Sequence, residues 1–173
     1  MRRTRCSAPA AGFTLFEMVV VLAIFGILGM VSYPSVRNVF EIRSFDTAAR
    51  DVMSTLQMAK WQAVNTKLNH RVRFSSASGR WSYRIEVESP SGTWTAKPGL
   101  MTKSIDALYV VTVALPLNSS VIFGPTGFVN GFESAKNQIT LSSAKLANLG
   151  QLNRRLIRFF ASGSVQYLKD SGG

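Results

Sequence analysis

AAGFTLFEMVVVLAIFGILGM, residues 10–30, places a single carboxylate, Glu17, at the front of an otherwise apolar run. From Phe13 to Tyr33 the polar interruptions are Thr14, Glu17 and Ser32, and Met18 to Val31 has none. As a helix these residues span roughly 31 Å, about the thickness of a bilayer's hydrocarbon core. The run predicts a transmembrane helix over residues 13–33. A carboxylate in lipid costs roughly 2.5–3.5 kcal/mol on insertion scales. Something must therefore supply a counter-charge to Glu17.

Ahead of the run lies MRRTRCSAPAAG, residues 1–12, with Arg2, Arg3 and Arg5 and no acid. A basic head before an apolar stretch also opens a secretory signal peptide, whose small-residue cleavage site follows the stretch. Here the small residues precede it, in APAAG, and GMVSYPSVRNVF after it offers no such site. A cut at Gly12 keeps the apolar helix in the mature protein. It also removes Cys6, the only cysteine, which excludes disulfides. The net charge of +11 would lose three arginines with the leader.

Beyond Pro34, Phe45, Ala49, Val52, Leu56, Ala59 and Ala63 recur at steps of three and four, the mark of one apolar helix face. Pro34 is the sole breaker between this stretch and the apolar run, so one long helix kinked at Pro34 is expected from about residue 14 to 65. After NTKLNH the period becomes two. Trp81, Tyr83, Ile85 and Val87 alternate with Ser82, Arg84, Glu86 and Glu88, a half-buried strand paired with RVRF through the SSASG turn. Further strands are expected at 108–115, 120–124, 137–142, 154–160 and 164–168. The fold class is α+β: a long kinked N-terminal helix, transmembrane then amphipathic, packed on an antiparallel β-rich head. The expected divisions are a leader 1–12, a membrane helix 13–33, an amphipathic helix 34–65 and a head 66–173.

Groups that move protons, attack or hold metal are scarce. His70 is the only histidine, which excludes the usual zinc sites and weakens any Ser-His-Asp reading; it reads as a turn residue. Glu86 and Glu88 fall on the same strand face, expected to be solvated. Ser142-Ser143-Ala144-Lys145 matches S-x-x-K without its partner motif K-T-G, so chance explains it. GPTGFVNG at 124–131 lacks the Lys and Ser/Thr of a phosphate loop. No enzyme, metal or cofactor is expected.

Thr14-Leu15-Phe16-Glu17 is a T-x-x-E capping box, which by itself accounts for a glutamate at the helix start. Gly12, Phe13, Thr14, Leu15 and Glu17, after a basic leader and before an apolar run, also resemble the class III signal of type IV pilins and pseudopilins; Phe16 stands where that family usually has Ile or Val. The resemblance implies that a prepilin peptidase cuts between Gly12 and Phe13 and methylates the new amine. It implies that Glu17 pairs with the amine of Phe13, its own or a neighbouring subunit's, during filament assembly, and that Pro34 is a pilin-type kink. A charge partner is what a buried carboxylate requires.

The head resembles the GspH/FimT family of minor pilins and pseudopilins in the order RVRF, VIFGPTGFV, IRFFASGSVQ, with Phe123, Pro125 and Gly127 in an F-x-P-x-G-like turn and Gly163 in the terminal hairpin. This implies a minor pseudopilin of type II secretion; the alternative is a type IV pilus minor pilin involved in pilus biogenesis or DNA uptake. Implied partners are other pilin or pseudopilin subunits, prepilin peptidase and the bacterial inner membrane, with the head periplasmic. Between Ser134 and Lys169, Lys136, Lys145, Arg154, Arg155, Arg158 and Lys169 stand with no acid, a polyanion-binding candidate. DNA is the less favoured partner, because the arginines that follow the hairpin glycine in DNA-binding relatives are replaced by Ser164, Val165 and Gln166. Strand alternation would put Arg154 and Arg158 on one face and Arg155 on the other.

Overall fold

The computed structural model describes residue 12 and residues 14–172, without the side chains of 31–36. Helix α1 covers Leu15–Thr66 and continues through Pro34. The chain divides into two units, the first ending at Phe40 and the second running from Glu41 to Gly173.

In the first unit, the Thr14 hydroxyl oxygen accepts the Glu17 N–H at 3.2 Å, the first half of the capping box. Leu15, Phe16, Val19, Leu22, Phe25, Ile27, Leu28 and Met30 are all exposed. Apolar side chains around the whole circumference of a helix call for lipid or other helices as surroundings. Among the described residues no helix is long and apolar enough to cross a membrane. The expected span, 13–33, is described only in part, since Phe13 and the side chains of 31–36 lie outside the described residues.

The second unit is built on the other half of α1. Phe45, Ala49, Val52, Leu56, Ala59 and Ala63 are each 0% exposed, so the apolar stripe read from the sequence is the helical wall of the core. Fully burying a side chain the size of Leu or Phe contributes about 1.5–3 kcal/mol. Two antiparallel sheets supply the remaining walls. The first runs β3 (Trp94–Ala96), β2 (Arg80–Glu88), β1 (His70–Ala77), β6 (Ser120–Phe123), β7 (Val129–Asn130), with β4 (Lys103–Ser104) also paired to β2. The second runs β10 (Val165–Asp170), β9 (Arg154–Phe159), β8 (Gln138–Ser142), β5 (Val110–Ala114). Inward residues follow the two-residue period: Val72 and Phe74 on β1, Tyr83 and Ile85 on β2, Ile139 and Leu141 on β8, Ile157 and Phe159 on β9.

The β1–β2 hairpin turns on Ser78 and Gly79, both at positive φ, a two-residue turn whose twist suits the strands it joins. The segment α2 (Pro116–Ser119) is a single turn in which Leu117 and Asn118 adopt left-handed φ/ψ. Ser143 caps the short helix α3 (Ala144–Asn148) by accepting the Leu146 N–H at 3.4 Å. That gives the S-x-x-K match a local structural role.

Candidate assembly and contact sites

Each expected assembly residue lies in the first unit. Gly12, Thr14 and Glu17 are exposed, and Glu17 occupies the first turn of α1, near the positive end of the helix dipole. Phe13, the expected new N-terminus, and the side chain of Pro34 lie outside the described residues.

In the second unit the two glycine turns meet against α1. Gly124 donates to the Phe128 carbonyl and accepts from the Gly127 N–H, closing the GPTG turn. In the β9–β10 turn Gly163 donates to Phe160, and the Val129 N–H reaches across to the Ala161 carbonyl at 2.9 Å. Gly163 sits at φ +71, and a Cβ there would lie 2.0 Å from the Gly127 carbonyl oxygen. The Lys60 side chain fills the remaining gap, 3.2 Å from that same point, and donates to the Ser162 carbonyl at 3.2 Å. Gly163 is therefore required by backbone conformation and close approach together, and Gly127 is favoured by its φ of +82.

The basic cluster reads differently in three dimensions. Lys136 pairs with Glu133 at 2.9 Å, Lys145 with Glu41, Arg154 with Asp170, and Lys169 with Asp46. Arg158 reaches Gln138 at 3.5 Å. Arg155 is corrected from a surface candidate to a core residue, 2% exposed. Its Nε donates to Asp46 at 2.6 Å, its Nη1 donates to the Leu152 and Arg154 carbonyls, and its guanidinium lies over the Phe45 ring. The face split expected from alternation is present, with Arg154 and Arg158 on the outer side of β9. The acids absent from this stretch of sequence arrive from α1, from Glu133 and from the end of β10.

Asp46 thus joins α1 to β9 and β10, accepting also from the Tyr167 hydroxyl at 3.0 Å. Burial pushes its carboxyl up, but the donors Lys169, Arg155 and Tyr167 outweigh that and hold it below its ordinary value. Tyr167 is pushed up to about 12, first by burial and then by Asp46.

Glu86, expected on a solvated face, is 1% exposed. Arg71 and Arg84 each close on it at 2.6 Å, and Arg71 in turn stacks on Trp94. Burial raises the Glu86 carboxyl, and the two arginines more than reverse it, leaving it below the ordinary range. The signal for this pairing was present in the sequence: counting outward from the Ser78-Gly79 turn sets Arg71 opposite Glu86. His70 is likewise no turn residue. It opens β1 fully buried, with Nδ1 3.1 Å from the Leu68 carbonyl oxygen and Nε2 without a partner. Asp46 and Lys60 carried no motif that marked them.

A helix wall packed on two antiparallel sheets, with Asp46 joining the helix to the second of them, defines a pilin-like α+β fold, and the prokaryotic N-terminal methylation motif matches residues 8–33. The type II transport protein GspH family matches residues 48–163, more than half of the chain, and the chain belongs to that family. It is a structural family, so the protein is not an enzyme. Among solved structures the fold is similar to two of the minor pseudopilin EpsH from the type 2 secretion system of Vibrio cholerae. One has 11% identity and a TM-score of 0.51 over 72% of this chain and 95% of that one. The other has 9% identity and a TM-score of 0.50, covering 76% of this chain and 96% of that one. No curated protein matches the sequence.

Proposed function

We propose that the protein works as a minor pseudopilin of a type II secretion system, a filament or tip subunit that supports pseudopilus assembly and protein secretion. The observation that carries this reading is the coincidence, in one chain, of the methylation motif at 8–33 and the type II transport family at 48–163. Prepilin peptidase removes residues 1–12 and methylates the amine of Phe13. Residues 13–33 then hold the subunit in the inner membrane with its head in the periplasm. On assembly the exposed apolar side chains from Leu15 to Met30 exchange lipid for neighbouring helices. Glu17 takes the amine of Phe13, its own or a neighbour's, as counter-charge. An unpaired carboxylate in lipid is costly, so that cost favours the filament over the lone subunit.

DNA uptake is the weaker alternative, because Lys136, Lys145, Arg154, Arg155 and Lys169 are committed to the chain's own carboxylates. The test is a chromosomal deletion, with and without complementation. Secretion predicts that enzymes normally released to the medium accumulate in the periplasm and that complementation restores release. Normal release together with lost DNA uptake would reject secretion in favour of a pilus.

A further inference from the structure

The outer face of the first sheet carries a cation that the fold leaves uncompensated. Arg73 points outward from β1, exposed, and its cross-strand partner on β2 is Arg84. On the other side of β1 it faces Ser120 of β6. Like charges directly opposite each other weaken a strand pair. Arg71 and Arg84 share the one carboxylate of Glu86, so this group of three keeps a net positive charge and Arg84 still opposes Arg73 as a cation. No carboxylate stands within ion-pair distance of Arg73 among the described residues. Along the same face Ser75 and Ser82 are opposite each other, their hydroxyls 3.0 Å apart.

We infer that Arg73, with the half-exposed Arg84 guanidinium opposite it and the Ser75 and Ser82 hydroxyls beside it, forms a docking site for a carboxylate presented by an acidic protein surface. A guanidinium matches a carboxylate through two parallel N–H donors, and a bound anion would remove the repulsion between the two arginines. The patch suits side-chain carboxylates better than a nucleic acid backbone. It is short, and Glu86 and Glu88 end it on β2, whereas a phosphate track calls for a longer row of cations. The inference does not depend on which filament system the chain serves.

The experiment titrates a fluorescent deca-glutamate peptide into the full chain in a neutral detergent at low ionic strength and follows anisotropy. Arg73→Gln is compared with Arg43→Gln, which removes one charge from an exposed position on α1. The expected result is binding at least about fivefold weaker in Arg73→Gln and less than about twofold weaker in Arg43→Gln, since charge-assisted contacts outweigh the loss of one distant charge. Arg73→Lys should recover part of the loss. The melting temperature of Arg73→Gln should be unchanged or higher, because a like-charge pair has been relieved. Equal weakening by both glutamine variants would overturn the site. A clearly lower melting temperature for Arg73→Gln would make Arg73 structural, against the inference. A charge-matched single-stranded oligonucleotide that discriminates wild type from Arg73→Gln where deca-glutamate does not would reject the acidic protein in favour of nucleic acid.

Discussion

Replacing Asp46 by Ala removes the acceptor of three donors at once: Arg155 at 2.6 Å, Tyr167 at 3.0 Å, and Lys169. Arg155 is 2% exposed, so its charge would be left in the core without a counter-ion. Breaking a buried pair from one side costs about 3–5 kcal/mol. Asp46 keeps 18% exposure, and Arg155 retains the Leu152 and Arg154 carbonyls and the Phe45 ring face, so the low end, about 3 kcal/mol, is expected. For a unit of this size that is a fall in melting temperature of about 10 °C. All three tryptophans, Trp61, Trp81 and Trp94, lie in the second unit, so fluorescence-detected unfolding of the full chain in neutral detergent reads the head selectively. The double variant Asp46→Ala/Arg155→Met should recover most of the loss, because apolar residues of similar volume substitute well for a buried pair. The pH dependence follows from the depressed Asp46 carboxyl. Its contribution is complete above its ordinary value of 3.8 and is lost as pH falls through the lower folded value, so wild type should weaken with acid over that range. Asp46→Ala should lack that component. A loss below about 1 kcal/mol in the single variant, or none recovered in the double, would refute the reasoning.

Gly163→Ala should destabilise the head by about 2–4 kcal/mol in urea unfolding, since it combines a left-handed φ with a clash against the Gly127 carbonyl. Gly79→Ala, with a similar φ and open space around it, should cost only about 1 kcal/mol. His70 is held below its ordinary value of 6.5, mainly by burial and further by Lys97, against an opposing hydrogen bond to Leu68. Its folded state resists protonation, so stability is full above 6.5 and falls as pH drops from there toward the folded value. Melting temperatures between pH 7.5 and 5.5 should decline in wild type and flatten in His70→Leu.

Long periodic elements were legible in the spacing of apolar residues along the chain. The six-residue stripe from Phe45 to Ala63 and the alternation of β2 depend on repeated side-chain spacing. The stripe is buried throughout, and on β2 the inward Tyr83 and Ile85 are buried as expected while Glu86 on the other face is buried too. Strands β3, β4 and β7 span two or three residues each, too few to show a period, and exist only because longer strands pair with them. The solvated reading of Glu86 failed for a related reason. Alternation says which face a residue occupies, not whether neighbouring guanidiniums and an indole ring will cover it. The basic stretch from Lys136 to Lys169 was misleading because charge was counted along the chain, while Glu41 and Asp46 reach it only through the packing of α1. The opposition of Arg73 and Arg84 lay equally in the turn count and becomes meaningful only once Glu86 is seen to be already shared.

The most direct measurement replaces Glu17 by Ala and quantifies the subunit in sheared pseudopili against the subunit left in the membrane. Assembly through a Glu17 counter-charge predicts loss from the filament fraction while the head unfolds at the wild-type temperature and the membrane fraction holds or rises. Undiminished incorporation of Glu17→Ala would contradict it, leaving Glu17 as a helix cap and the N-terminal segment as a simple anchor.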